Sequence, residues 1–260
     1  MHYCILIPTY NNAKTLASVI DRSLAVCDDV IVVNDGSTDG TESLLCAYGE
    51  RIQVVSYSRN RGKGYALKCG LRRASQLGFR YAITLDSDGQ HFPEDALLLL
   101  DCARQNKALA QSNNQTFKHS TLVVGSRNLS ADGMPRENSF ANRFSNFWFR
   151  VQTGIDMPDT QSGYRLYDLE ALPSFVFVTN RYESELELLV FSTWRGVRLQ
   201  SVPVRVYYAP LGERVSHFRP FMDFFRISVL NTILCFVALL YGYPRMLLGK
   251  LFGKGRRRGV

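Results

Sequence analysis

Two aspartates, Asp86 and Asp88, stand two residues apart where an apolar run, YAITLDSD at 81–88, gives way to glycine and polar residues. In an extended strand, residues two apart project to the same side. Two hard carboxylate ligands converging there suit Mg²⁺ or Mn²⁺, which keeps several waters and binds a substrate diphosphate. A nucleotide-sugar donor needs that arrangement. Its leaving group is a nucleoside diphosphate, and the cation neutralises charge that builds on it as the glycosidic bond breaks. An isolated Asp-x-Asp is equally what a solvated turn shows, so its neighbours decide. PTYNN at 8–12, NDGSTDGT at 34–41, SRNRGKG at 58–64 and GSRN at 125–128 also follow apolar runs. Loops that only joined elements would show turn residues without this recurrence of carboxylates.

The elements that must position these loops follow from periodicity. Short apolar runs at 4–10, 28–36, 52–58, 81–88 and 121–127 read as strands. Amphipathic patterns at 13–27, 39–48, 63–77 and 93–109 read as the helices between them, with Pro93 near the first turn of the last. Strand and helix alternating with connections too long for hairpins imply an α/β protein with a mostly parallel sheet and helices on both faces. Ligands bind such sheets at the carboxyl ends of the strands, where the polar loops lie. Further on, 137–154 reads as a helix rich in aromatics, 182–196 as another helix and 199–210 as a strand, while 105–120 reads as a surface loop.

In order, PTYNN, VNDGSTDGT, NRGKGYAL, LDSDGQHFPED, VVGSRN and TQSGYRLY at 160–167 resemble family 2 of the inverting glycosyltransferases. Within it the chain is most similar to the polyprenyl-phosphate sugar transferases, the dolichyl-phosphate mannosyltransferases among them. The resemblance spans roughly residues 3–220 and implies a Rossmann-like GT-A fold. It implies that Pro8, Thr9 and Tyr10 line the nucleotide base pocket, with Asp35 holding the base or ribose. Asn60, Gly62 and Lys63 lie where backbone approaches the nucleotide, and Asp86, Asp88 and Gln90 match the metal-carrying DxDxQ. Arg127, Ser162 and Arg165 would face phosphate groups, and a site binding two phosphorylated substrates needs such positive charge.

An alcohol acceptor needs a general base, whereas a phosphate monoester, with a second pKa near 6, is mostly ionised at neutral pH. Asp132, Asp156, Asp159, Glu183 and Glu185 are the acidic candidates. Asp159 is placed to order the QSGYR loop, and acids opening a helix, as Glu183 and Glu185 do, are favoured by its dipole alone. In the resembled subfamily an acid of this helix faces the site, which selects Glu185. No candidate stands out as a base, which favours a phosphate acceptor over a lipid or glycan hydroxyl. A membrane-bound scaffold with an inactive sugar-nucleotide site is the non-enzyme reading, opposed by the intact Asp86, Asp88, Gln90 and Arg127. The subfamily's later Arg-Gly-Ser-Lys motif departs here to GERVSHFRP at 212–220: Ser216 stays, His217 replaces the lysine, and Arg214 and Arg219 flank it. Arg214 and Arg219 are expected to meet the acceptor phosphate or the membrane surface.

The 260 residues are 46% hydrophobic and carry 31 Lys and Arg against 23 Asp and Glu, which excludes a disordered or polytopic membrane protein. The net charge of +8 lies wholly beyond residue 213, where Asp223 is the one acid, so the preceding body is neutral. The six cysteines lack any CxxC pair and read as apolar fillers in a reducing compartment, and no secretory signal is recognisable. The basic residues bracket the apolar stretch 227–243, which points to anionic lipid and away from nucleic acid. Seventeen residues sit at the lower limit for spanning, and a span would export a basic tail against the positive-inside tendency. The expectation is therefore a catalytic domain over 1–220 at the cytoplasmic face of a membrane. Residues 221–260 would form an interfacial helix, or a re-entrant one broken at Gly242–Pro244. Self-association is left open.

Overall fold

Strand β1 (Tyr3–Thr9) runs YCILIPT and is buried on both faces, which is why it reads as unbroken hydrophobic sequence. Cys4 and Leu6 enter the core on one side of the sheet, Ile5 and Ile7 the core on the other. The computed structural model describes residues 2–112, 120–127, 136–170, 172, 179–208 and 220–255. The remaining strands are β2 (Val30–Asn34), β3 (Gln53–Ser56), β4 (Tyr81–Thr84), β5 (Thr121–Ser126), β6 (Arg165–Asp168) and β7 (Arg198–Pro203). They form one sheet in the order β3-β2-β1-β4-β6-β5-β7. Helices α1 (Ala13–Leu24), α2 (Thr41–Tyr48) and α4 (Ala96–Ser112) follow β1, β2 and β4. Helix α3 (Lys63–Gln76) follows β3 and packs on the opposite core, with α5 (Arg136–Thr153) and α6 (Glu183–Trp194).

The sheet is parallel except at β6, which pairs antiparallel with β4 and β5. The expected mostly parallel sheet therefore holds, but this strand was not foreseen. RLYD is four residues long and carries charge at both ends, yet all four positions are buried. The reversal has a consequence for the site. Thr84 of β4 pairs with Arg165 of β6, so the amino end of β6 lies beside the carboxyl ends of β4 and β5. The loop before β6, TQSGY, thus joins the loops after β1, β2, β3, β4 and β5 at one sheet edge.

Three local expectations need correction. Helix α4 continues to Ser112, so much of the stretch read as a surface loop at 105–120 is helical. Strand β4 ends at Thr84, so Asp86 and Asp88 sit in the following turn and their approach does not come from strand alternation. The chain does not break at Gly242–Pro244. Helix α7 (Pro220–Val237) passes through a π turn (Ala238–Gly242) into α8 (Tyr243–Gly255) as one continuous rod. Proline removes the bond to the carbonyl four residues earlier and crowds it, and the widened π turn just before Pro244 accommodates that. The rod's inner stripe, Leu230, Leu234 and Ala238, belongs to the same core as Phe149, Leu189 and Trp194. The C-terminal segment is thus packed onto the α/β body and shares its core.

Candidate active site

At the carboxyl edge of the sheet the loops are laced to one another before any ligand arrives. The Asn11 side-chain oxygen accepts the Thr38 N–H at 2.7 Å, and Ser37 Oγ accepts the Asn11 N–H at 3.0 Å, tying the β1 loop to the β2 loop. Asp35 is 3% exposed, and its two carboxylate oxygens accept the backbone N–H groups of Arg61 (2.7 Å) and Gly62 (2.9 Å). Asp35 therefore orders the loop that opens α3. Thr9 is buried at the end of β1 with its hydroxyl unpartnered, Tyr10 is half-buried, and Asn60 is exposed beyond β3. Pro8 pairs with Val33 inside the sheet.

The centre of the edge is an acid–base–acid chain. Lys63 Nζ lies 2.7 Å from Asp86 Oδ1 and 3.2 Å from Glu185 Oε2, joining the β4 loop to the first turn of α6. Burial alone would lower the Lys63 pKa, but Asp86 and Glu185 more than reverse this, so the ammonium stays charged. Burial likewise opposes ionisation of Asp86, and Lys63 outweighs it, holding that carboxyl below its ordinary range. Close approach of α3 and α6 is what makes the chain possible. A Cβ at Gly64 would lie 2.0 Å from Ser184 Oγ, so glycine beside Lys63 lets the two helix starts touch. The β6 loop closes over the pair in the same way: a Cβ at Gly163 would fall 2.8 Å from Asp86 Oδ2 and 2.9 Å from Lys63 Nζ. The sequence placed Lys63 among backbone contacts; its side chain and Gly163 are the parts that sequence reasoning missed.

Asp88 sits beside Asp86 with one oxygen accepting the Gln90 N–H at 3.0 Å. Burial and the neighbouring Asp86 charge push its pKa up to about 6. Two crowded carboxylates, one of them reluctant to ionise, suit a divalent cation that would neutralise both. Among the described residues no three His, Cys, Asp or Glu side chains form a metal-holding group. Asp86 and Asp88 could therefore hold such an ion together with the Gln90 amide, waters or oxygens of a substrate. His91, next in sequence, is 5% exposed with neither ring nitrogen partnered, and burial lowers its pKa to about 4 despite the Asp86 charge. A neutral imidazole with unspent donor and acceptor thus stands within electrostatic reach of Asp86 and Arg127.

The arginines divide. Arg127 forms a two-pronged ion pair with Asp159, Nε to Oδ2 at 2.7 Å and Nη2 to Oδ1 at 3.0 Å, and remains 16% exposed. Asp159 also accepts N–H groups from Gln161 and Ser162, so it orders the loop as expected. Arg165 departs from expectation. It is fully buried and donates to the carbonyl oxygens of Thr160 (2.9 Å), Ser162 (2.7 Å) and Glu185 (2.7 Å). It braces the β6 loop against α6, and its donors face backbone, not a phosphate. Ser162, 1% exposed, turns its hydroxyl to the Tyr164 N–H and is likewise a loop-shaping residue. Arg214, Ser216 and Arg219, and Asp132 of the base candidates, lie outside the described residues.

Comparison with known proteins follows the same lines. A glycosyltransferase named AglJ from Haloferax volcanii is 33% identical over 216 residues, which is 81% of this chain and 64% of that protein. The chain thus spans less than two thirds of that relative. An undecaprenyl-phosphate mannosyltransferase from Micrococcus luteus is 26% identical over 224 residues, 82% of this chain and 86% of its own. Among solved structures, mannosyl-3-phosphoglycerate synthase from Rubrobacter xylanophilus superposes with a TM-score of 0.57 at 19% identity, over 100% of this chain and 77% of that one. That likeness supports the GT-A fold. The family model described as Glycosyl transferase family 2 matches residues 4–173. With its GT-A sheet and glycine-rich strand-end loops, the chain belongs to glycosyl transferase family 2.

Proposed function

We propose that the protein transfers a sugar from a nucleotide-sugar donor of the GDP-mannose or UDP-hexose type to a polyprenyl phosphate, with inversion at the anomeric carbon. The observation that carries this reading is the Lys63 bridge. Glu185, the acid best placed as a base for an alcohol acceptor, is paired with Lys63, which is itself bound to Asp86. With its Oε2 held by the Lys63 ammonium, Glu185 is committed to an ion pair and not to an acceptor hydroxyl, whereas a phosphate acceptor arrives already ionised and asks for no base. Names of relatives such as the undecaprenyl-phosphate mannosyltransferase agree with this acceptor class.

In this reading the β1, β2 and β3 loops hold the nucleoside through backbone groups that Asp35 and Asn11 fix in place. Asp86 and Asp88, with Gln90, would hold Mg²⁺ or Mn²⁺, which supplies positive charge to the departing diphosphate. Lys63 keeps Asp86 ionised and Glu185 in register. Arg127, fixed by Asp159, presents its remaining N–H groups to a phosphate. The acceptor attacks from the side opposite the leaving group, which gives inversion without a covalent enzyme intermediate. The site works at the cytoplasmic face of a membrane, where nucleotide sugars are supplied. The test compares a polyprenyl phosphate with the corresponding polyprenol as acceptor, reading the anomeric configuration of product by NMR. Inverted product from the phosphate alone supports the reading; equal use of the alcohol overturns it.

A further inference from the structure

The α7–α8 rod presents two faces of different character. Its inner stripe is fixed to the catalytic body at several points along its length. Leu230, Leu234 and Ala238 are buried in the common core, and Gln152 of α5 donates to Asn231 Oδ1 at 2.9 Å. At the π turn, a Cβ on Gly242 would lie 2.4 Å from the Trp194 ring, whose indole N–H donates to the Gln152 carbonyl at 2.9 Å. Tyr243 then donates to the Val151 carbonyl. The outer stripe is exposed and apolar: Phe225 59%, Val229 43%, Ile233 53%, Phe236 65%, Leu240 84% and Leu247 59%. These positions recur every three, four or seven residues, one face of a helix. Helix α5 continues the same surface with Phe147 (58%) and Val151 (41%), and its Phe144 ring packs 5.4 Å from that of Phe224.

Scattered apolar residues on a surface are ordinary, but a continuous face over two neighbouring helices marks an interaction surface. We propose that the outer face of α5 and of the α7–α8 rod docks onto an anionic lipid bilayer, with the rod lying in the membrane plane and not crossing it. The helix from Met222 to Gly249 is long and apolar enough to span. A crossing rod, however, would have to leave the core contacts that hold it from Leu230 to Tyr243, or draw the buried α6 into the bilayer with it. Lying flat keeps those contacts and buries the outer stripe. Charge selects lipid over a second copy of the chain. Arg245 is exposed beside the apolar face, and Lys250, Lys254 and Arg256 to Arg258 follow in sequence. Two such surfaces would repel, whereas acidic headgroups pair with them.

The inference deepens the polyprenyl-phosphate reading and rests on it only for the purpose of docking, so the two can be tested apart. The purified full chain is floated with vesicles of phosphatidylcholine, with or without phosphatidylglycerol. It should float with the anionic vesicles and far less with neutral ones. Ile233→Glu together with Leu240→Glu should lower the bound fraction about tenfold or more. Transfer to a short, water-soluble polyprenyl phosphate should be unchanged in that variant, which also reports an intact fold. A tag placed after Val260 should be cut by protease from the side of the catalytic domain. Unchanged flotation of the variant, a tag protected on the far side, or a stable dimer abolished by the same substitutions would each overturn the proposal. Flotation without transfer to any acceptor would uphold the docking surface and overturn the acceptor reading alone.

Discussion

Replacing Lys63 by methionine tests the centre of the site directly. The ammonium lies 2.7 Å from Asp86 and 3.2 Å from Glu185, with side-chain exposures of 20% for Lys63, 27% for Asp86 and 9% for Glu185. At an effective dielectric of about 20 the attraction to Asp86 alone is about 6 kcal/mol, most of it offset by the desolvation of both groups. What the variant loses is the pairing of two carboxylates that stay in place. Removing one partner of a buried pair costs about 3–5 kcal/mol, and the partial exposure here points to about 3 kcal/mol. Urea denaturation followed by circular dichroism at pH 7.5 should show a midpoint lower by about 1 M. The pH dependence has a definite sign. In the wild type the Asp86 pKa is depressed, so its contribution is present above its unfolded pKa of about 3.9 and lost as pH falls through the folded value. In the variant, burial without Lys63 raises that pKa, so stability declines as pH rises from about 4 through the new value. The gap between the two proteins should therefore be full at pH 7.5 and become small only at about pH 2.5, below the folded Asp86 value. A variant within about 0.5 kcal/mol of wild type at both pH values would refute the reasoning.

Gly163→Ala would place a methyl 2.8–2.9 Å from Asp86 and Lys63; it should reduce transfer by about a hundredfold with helix content retained, read by initial rates at saturating donor. Asp159→Asn removes the carboxylate on Arg127. Burial opposes the Asp159 charge, but Arg127 prevails and depresses the pKa, so the stabilisation is present above about pH 3.9 and lost as pH falls through the folded value. The variant should be about 3 kcal/mol less stable at pH 7, and the acid-unfolding curves should converge below about pH 3. Asp88, whose pKa lies at about 6 without a cation, must release its proton to bind one. Mn²⁺ affinity by calorimetry should fall up to about tenfold per unit below pH 6 and level off above it, and chelation should abolish transfer.

The parts legible in the sequence were those whose physics is local. Strands β1, β2, β4 and β5 announce themselves as apolar runs because both faces of the sheet are covered there, and the glycine- and aspartate-rich ends follow from the chain having to turn and bind there. Strand β6 escaped because a charged residue does not read as a buried one: Arg165 is held inside by donating to the carbonyls of Thr160 and Ser162 in the preceding loop and of Glu185 on α6. For the same reason a buried arginine was mistaken for a phosphate-facing one. The proximity of Asp86 and Asp88 was expected, but from alternation along a strand, whereas the turn after β4 provides it. Lys63 was read as backbone scaffolding since nothing local reveals that α6 returns to place Glu185 against it. The expected break at Gly242–Pro244 treated proline as a stop, and the π turn ahead of it shows how a helix can instead absorb it.

The central claim is that this edge of the sheet moves a sugar from a nucleotide to a polyprenyl phosphate. It is tested most directly with membranes from cells expressing the protein, given Mn²⁺, a polyprenyl phosphate and a panel of labelled GDP- and UDP-sugars. Label extracted into the organic phase is counted for the wild type and for Asp88→Asn. The account predicts label from one donor, absent in the variant. Donor binding with no label entering lipid from any member of the panel would contradict it.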